Sequence, residues 1–281
     1  MKTTWAQGDV YANGIKIHYY RTGGNKPQVV LNHGAMDDGL CWTRVTKALE
    51  AAYDLIMLDV RGHGLSDIGQ GDYSSQSRAA DLAGVIQALG LDRPVVGGHS
   101  LGADTALNLA GHDPELVRGI FLEDPPITLP GQQIFGGKTA EGKDPVRLMK
   151  IFMRTIRALP SFIGASIARR LNPGYHEDEI LPWVNSKKRL STDFLASMAT
   201  SLDFSGGIPT ELLGGIKVPV LLIIGDRDAG AIVSQGVAAA IQAATKDLRI
   251  AHLTGASHDI RRSRFDGYMA ALRSFLSEIY R

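Results

Sequence analysis

The segment Val95–Asp104, VVGGHSLGAD, constrains this chain more than any other. An apolar run ends in Gly98-His99-Ser100-Leu101-Gly102, and an Ala/Leu-rich stretch with helical spacing follows at once. This is a G-x-S-x-G sequence between a predicted strand and a predicted helix. In that context the serine occupies a sharp, strained turn that lifts its hydroxyl above the sheet edge. The flanking glycines let the two backbones approach. The same turn puts the serine at a helix N-terminus, where unpaired backbone N–H groups can stabilise an oxyanion. Ser100 is therefore the candidate nucleophile.

The rest of the chain reads as strands alternating with helices. Gly8–Tyr20 predicts a hairpin, because Asn13-Gly14 lies between alternating apolar residues. Short apolar runs at Gln28–Asn32, Asp54–Asp59, Val95–Val96, Val117–Glu123 and Val218–Gly225 predict buried strands. Helical spacing appears over 42–52, 77–89 and 265–280. Continuous apolar strands separated by helices imply right-handed crossovers and a parallel sheet covered on both faces.

This pattern stops at Asp124-Pro125-Pro126 and resumes at Val218. The intervening residues carry no convincing buried strand but hold helical segments around Arg147–Ala158, Ser161–Leu171 and Thr192–Ser201. The reading is an α/β core over 1–125 and 217–281, with residues 126–216 inserted as a helical cap. Phe152, Met153, Phe162, Tyr175, Trp183, Phe194 and Met198 suit either an apolar roof over a pocket or the packing of the cap helices on each other. The glycine-bearing stretch Gln132–Lys143 reads as an entrance flap or as a surface loop.

Bulk properties narrow the partners. With 44% hydrophobic residues in 281, the chain can bury one large core and an inserted subdomain. Thirty basic and 29 acidic side chains leave a net charge of +1, which gives no footprint for nucleic acid. The lone Cys41, beside Trp42, excludes an intrachain disulfide and reads as a small buried residue. The segment MKTTWAQGDV lacks the apolar core of a signal peptide, and no stretch reaches the roughly 18 apolar residues of a membrane span, so a soluble cytoplasmic protein without membrane partners is expected. No metal-ligand cluster, dinucleotide fingerprint or P-loop appears, so neither metal nor cofactor is expected. The oligomeric state is not readable.

Four stretches in this order resemble the α/β-hydrolase fold family: Leu31–Gly34 (LNHG), Asp59–Asp67 (DVRGHGLSD), Gly98–Gly102 (GHSLG) and Gly255–His258 (GASH). The resemblance covers the chain apart from the cap, and within the family it points to the capped esterase, lactonase and C–C hydrolase group. It implies a mostly parallel doubly wound sheet and the order nucleophile, acid, histidine. His258 matches the histidine, the base that a serine hydroxyl needs near neutral pH. For the acid, the resemblance selects Asp228 in Gly225-Asp226-Arg227-Asp228. Glu123 and Asp124, at the end of the sixth strand, remain as the alternative, because some members place the carboxylate there. Asp226 reads as a turn or salt-bridge residue. The oxyanion hole is expected from the backbone N–H groups of Leu101 and Ala35. Asp37 and Asp38 read as caps of the helix that follows them, or as contacts to a polar part of the substrate. His33 and His63 match structural loop positions.

These features predict a serine hydrolase that cleaves a carboxylic ester or lactone of a small, largely apolar substrate through an acyl-enzyme. A serine at the elbow argues against haloalkane dehalogenases and epoxide hydrolases, which need an aspartate there. A C–C bond hydrolase or a perhydrolase with the same triad is the alternative, although His33-Gly34-Ala35-Met36 departs from the H-G-x-G-P-G-like loop of many C–C hydrolases. A non-enzymatic ligand receptor on this fold would show a damaged triad, and none is visible.

Overall fold

A computed structural model describes residues 5–129, 145–198 and 209–281. Eight strands form one sheet in the order β1-β2-β4-β3-β5-β6-β7-β8. They are β1 (Ala6–Ala12), β2 (Ile15–Arg21), β3 (Gln28–Asn32), β4 (Asp54–Asp59), β5 (Val95–His99), β6 (Gly119–Glu123), β7 (Val220–Ile224) and β8 (Leu248–His252). The β1–β2 hairpin is antiparallel and closes on Asn13 (φ 49°) and Gly14 (φ 78°), the left-handed pair that a two-residue hairpin turn demands. β2 also runs antiparallel to β4, and every pairing from β4 through β8 is parallel.

The inner parallel strands β4, β5, β6 and β7 are buried on both faces, which is why they read as unbroken apolar runs, while the edge strand β8 is partly exposed. Alternate residues divide between two cores. Val30, Ile56, Val96, Ile120 and Leu222 face helices α2 (Ser75–Ala88), α3 (Leu101–His112) and α9 (Gln235–Ala244). Val29, Leu55, Val95, Phe121 and Leu221 face α1 (Thr43–Leu49) and the C-terminal helix α11 (Phe265–Ile279), with α10 (Ile260–Ser263) just before it. Chain order reverses at β3, which has β4 on one side and β5 on the other. A crevice at such a switch point, beyond the carboxyl ends of the strands, is where open α/β sheets bind ligands.

Between β6 and β7 lie α4 (Pro145–Ala158), α5 (Ser161–Leu171), α6 (Glu177–Arg189), α7 (Thr192–Ser197) and α8 (Thr210–Gly215). Trp183 and Tyr175 pack inside this segment with Ile156, Ala168 and Val184. Met153 and Phe194, with Phe152 and Met198 beside them, instead gather with Leu101 and Tyr73 over the strand ends. Phe162 is exposed. The last helix, α8, packs on α3, and its Leu213 belongs to the main core, as does Ile127. Both residues fall within the 126–216 stretch read from sequence as cap. Gln132–Lys143, with its flap-or-loop reading, lies outside the described residues, as do 199–201 at the end of the third helical segment. Among the described residues no helix is long and apolar enough to cross a membrane.

Candidate active site

Ser100 sits between β5 and α3 at φ 51°, ψ −115°, a conformation strained for any residue with a side chain. The neighbouring backbones hold it there. A Cβ on Gly98 would lie 2.3 Å from the Gly102 carbonyl carbon, and one on Gly102 would lie 2.2 Å from the Asn32 carbonyl oxygen. No other residue fits either position. The Ser100 N–H donates to the Glu123 carbonyl at 2.9 Å, which ties the turn to the end of β6.

That end of β6 carries the carboxylate that meets the histidine. His258 Nδ1 donates to Asp124 Oδ2 at 2.6 Å. Asp124 is fully buried and has a left-handed backbone, φ 43°. Its carboxylate also accepts from the backbone N–H groups of Ile232 (2.8 Å) and Val233 (2.9 Å). The segment after β7, where Asp228 was expected to supply the acid, thus contributes peptide donors to Asp124 instead. Asp228 lies exposed in the 3-10 turn Arg227–Ala229 and makes no ion pair with His258. The physical reason is reach: the left-handed turn at Asp124 directs its short side chain to the imidazole, while Asp228 points to solvent. Asp226 is a turn residue, paired with His252 at 2.6 Å and accepting from the Gly255 N–H. Glu123, the other alternative acid, turns the opposite way and accepts from the Arg261 N–H at 2.9 Å.

Burial disfavours a charged His258, but the hydrogen bond and charge of Asp124, with Asp259 and Glu123 adding theirs, raise its pKa above the ordinary value. The His99 ring lies against that of His258, with centroids 4.5 Å apart and planes tilted by 47°, and its Nε2 donates to the His258 carbonyl at 3.0 Å. Burial keeps His99 neutral, well below the usual histidine range.

The loop after β3 lies against the serine turn. A Cβ on Gly34 would stand 2.6 Å from His99 Nδ1 and 3.6 Å from Ser100 Cβ. The Gly34 carbonyl accepts from the Asp37 N–H at 3.1 Å and from His33 Nδ1 at 2.8 Å. In a trans peptide the Ala35 N–H points away from that carbonyl, so these two bonds orient it. The Ala35 carbonyl is held by His63 Nε2 at 2.8 Å. Leu101 opens α3, so its N–H has no acceptor within the helix.

Asp37 and Asp38 take separate roles. Asp38 Oδ1 accepts from the Leu40 N–H and caps the 3-10 turn before α1. Asp37 does not cap. It pairs with Lys187 (3.0 Å), Arg262 (3.1 Å) and Arg261 (3.3 Å), and although burial opposes its charge, these three cations hold it well below the usual carboxylate range. Asp37, His99 and Asp259 bring one ligating atom each within 4.8 Å of one another. Both carboxylates already have cationic or hydroxyl partners, since Asp259 binds Arg262 and accepts from the Tyr175 hydroxyl. Protein donors thus already pair with both carboxylates of this cluster. Lys187, Arg261 and Arg262 carry no motif and were invisible in the sequence. Only their burial, at 3% exposure or less, singles them out.

Comparison with known proteins agrees with this architecture. The chain is 29% identical to N-formylmaleamate deformylase of Pseudomonas putida over 98% of both chains. It is 25% identical to 2-(acetamidomethylene)succinate hydrolase of Mesorhizobium japonicum, over 91% of this chain and 90% of that one. Its fold superposes with a TM-score of 0.80 on the solved N-formylmaleamic acid deformylase of Pseudomonas putida S16, at 23% identity over 95% of this chain and 100% of the other. Residues 27–252 match the family model described as the alpha/beta hydrolase fold, and the chain belongs to that hydrolase family.

Proposed function

We propose that this hydrolase is a serine acyl hydrolase with Ser100 as nucleophile, His258 as general base and Asp124 as the carboxylate that orients it. The observation that carries the reading is the 2.6 Å bond between His258 Nδ1 and Asp124, with the His258 ring 4.5 Å from that of His99, the residue before a serine held in a strained strand–helix turn. A neutral imidazole with its Nδ1 proton committed to a carboxylate leaves Nε2 free to take a proton from a hydroxyl. In the forward step the Ser100 hydroxyl oxygen bonds to the substrate carbonyl carbon while its proton passes to His258. The tetrahedral oxyanion is received by the N–H groups of Leu101 and Ala35. His258 then returns the proton to the leaving oxygen or nitrogen as that bond breaks. Water, deprotonated by His258, releases the acid and restores the serine.

What surrounds the turn supports a reading of the substrate class. Leu101, Met153, Leu190 and Phe194, with Ala35 and Met36 beside them, are apolar. They favour a small, largely apolar group next to the scissile carbonyl of a carboxylic ester or lactone. A second reading, cleavage of an N-acyl bond, is favoured by two relatives matched over nine-tenths or more of their length, whose names carry an N-formyl and an acetamido (N-acetyl) group. Both readings share one acyl-enzyme. The test is hydrolysis of matched p-nitrophenyl esters and p-nitroanilides, from formyl to decanoyl, by wild type and Ser100→Ala. Wild-type turnover lost in Ser100→Ala is expected. Equal rates in the two proteins would reject the reading.

A further inference from the structure

Lys187 lies on α6, about 150 positions from the loop that follows β3, yet its ammonium sits in that loop's core. Nζ donates to the Met36 carbonyl at 2.7 Å and to Asp37 Oδ1 at 3.0 Å. Ser186 Oγ reaches the same Met36 carbonyl at 3.2 Å. Lys187 is 2% exposed, and its Nζ also lies 4.6 Å from the ring centroid of Trp183, one turn earlier on the same helix. On its other side Asp37 is gripped by Arg261 and Arg262, three and four residues after His258. One carboxylate therefore joins the cap, the Ala35 loop and the histidine segment.

We propose that Lys187 is a positioning residue, which sets the Ala35 loop for oxyanion binding only while the cap is docked. This rests on the acyl-hydrolase reading above. A flexible four-carbon stem is a poor structural filler, since burying it costs rotamer freedom and desolvates an ammonium. Its position is accounted for by what it holds. The Met36 carbonyl and the Asp37 carboxylate are the next two acceptors after the Ala35 peptide, so fixing them limits how far that N–H can swing. An oxyanion donor displaced by about 1 Å loses most of its effect on the transition state while substrate still binds. Asp37 keeps two arginine partners when the lysine is removed, so Lys187→Met removes the lysine's tie to the cap, leaving that of Ser186, without stranding the carboxylate.

The experiment has two readouts. Amide hydrogen exchange across residues 34–40 is compared in wild type, Lys187→Met and Lys187→Arg, with the strands β5 and β6 as the internal reference. Exchange in 34–40 is expected to rise about tenfold in Lys187→Met, with the reference strands unchanged and partial recovery in Lys187→Arg. On the best ester, kcat is expected to fall roughly 10- to 100-fold with KM within about threefold, and affinity for an aryl boronic acid to fall in step with kcat. Wild-type exchange in 34–40 of Lys187→Met would overturn the proposal, as would a change confined to KM. If Lys187→Met does not fold, Lys187→Gln, which keeps a polar end but loses the charge and the reach to Met36 and Asp37, decides through the same segment, where faster exchange supports the proposal and unchanged exchange rejects it. Failure of the hydrolase reading looks different: wild type itself would refuse a fluorophosphonate label at Ser100, while the exchange result would stand.

Discussion

Asp124 Oδ2 and His258 Nδ1 lie 2.6 Å apart across 134 positions of sequence, and both oxygens of that carboxylate accept backbone N–H groups from Ile232 and Val233. The carboxylate is thus fixed by peptide donors as well as by the imidazole. It can hold one tautomer and stabilise the imidazolium without moving.

Asp124→Asn keeps the shape of this contact but reverses what it can accept. The expected loss in kcat/KM is about 10³- to 10⁴-fold. Asp228→Asn, at an exposed turn residue, is expected within about twofold of wild type. Steady-state rates on one ester decide between them, and the reverse pattern would restore Asp228 as the acid.

The raised His258 pKa has two consequences of opposite sign with pH. The base must be neutral, so kcat/KM is expected to fall as pH drops through a value above the ordinary 6.5, and in Asp124→Asn this limb moves to lower pH. For stability, the charged pair contributes fully below the unfolded-state value and is lost as pH rises through the raised one. Rate profiles and melting temperatures from about pH 5 to 9 test both. A limb that stays in place in Asp124→Asn would separate the titrating base from His258.

Two glycine substitutions separate the serine turn from ordinary helix chemistry. Gly102→Ala drives a Cβ to 2.2 Å from the Asn32 carbonyl oxygen. It is expected to cost on the order of 3 kcal/mol and to abolish activity. Gly214→Ala, in α8, meets nothing within 4 Å and is expected to be neutral or stabilising by about 0.5–1 kcal/mol. Urea denaturation of the two variants measures the contrast.

Chelation should leave the enzyme unchanged, because the carboxylates of Asp37 and Asp259 are already paired with Lys187, Arg261, Arg262 and Tyr175. Full activity is expected after dialysis against EDTA. A loss restored by a divalent cation would require a metal in the reaction.

Much of the site was legible in the sequence where chemistry depends on local backbone. The serine turn was readable because only glycine tolerates the approaches at 98 and 102. The hairpin was readable because Asn13-Gly14 adopts left-handed conformations cheaply. The acid was harder to choose. Glu123 ends β6, and Asp124, Asp226 and Asp228 sit just beyond β6 or β7, strands that lie side by side, so spacing leaves several carboxylates as candidates for one imidazole.

The alternation of apolar runs and helical spacings by itself determined a parallel sheet covered on both faces, and the glycine-flanked turn put Ser100 at the end of one strand, because period and turn chemistry are properties of short segments, whereas His258 was picked out by the resemblance of Gly255–His258 to the family. Only the tertiary structure decided which carboxylate meets His258, and that Lys187, Arg261 and Arg262 converge on Asp37. A carboxylate's partner is set by where its backbone turns and by which peptide donors pack against it. A buried ion pair between residues about 150 positions apart leaves no periodic trace in either segment.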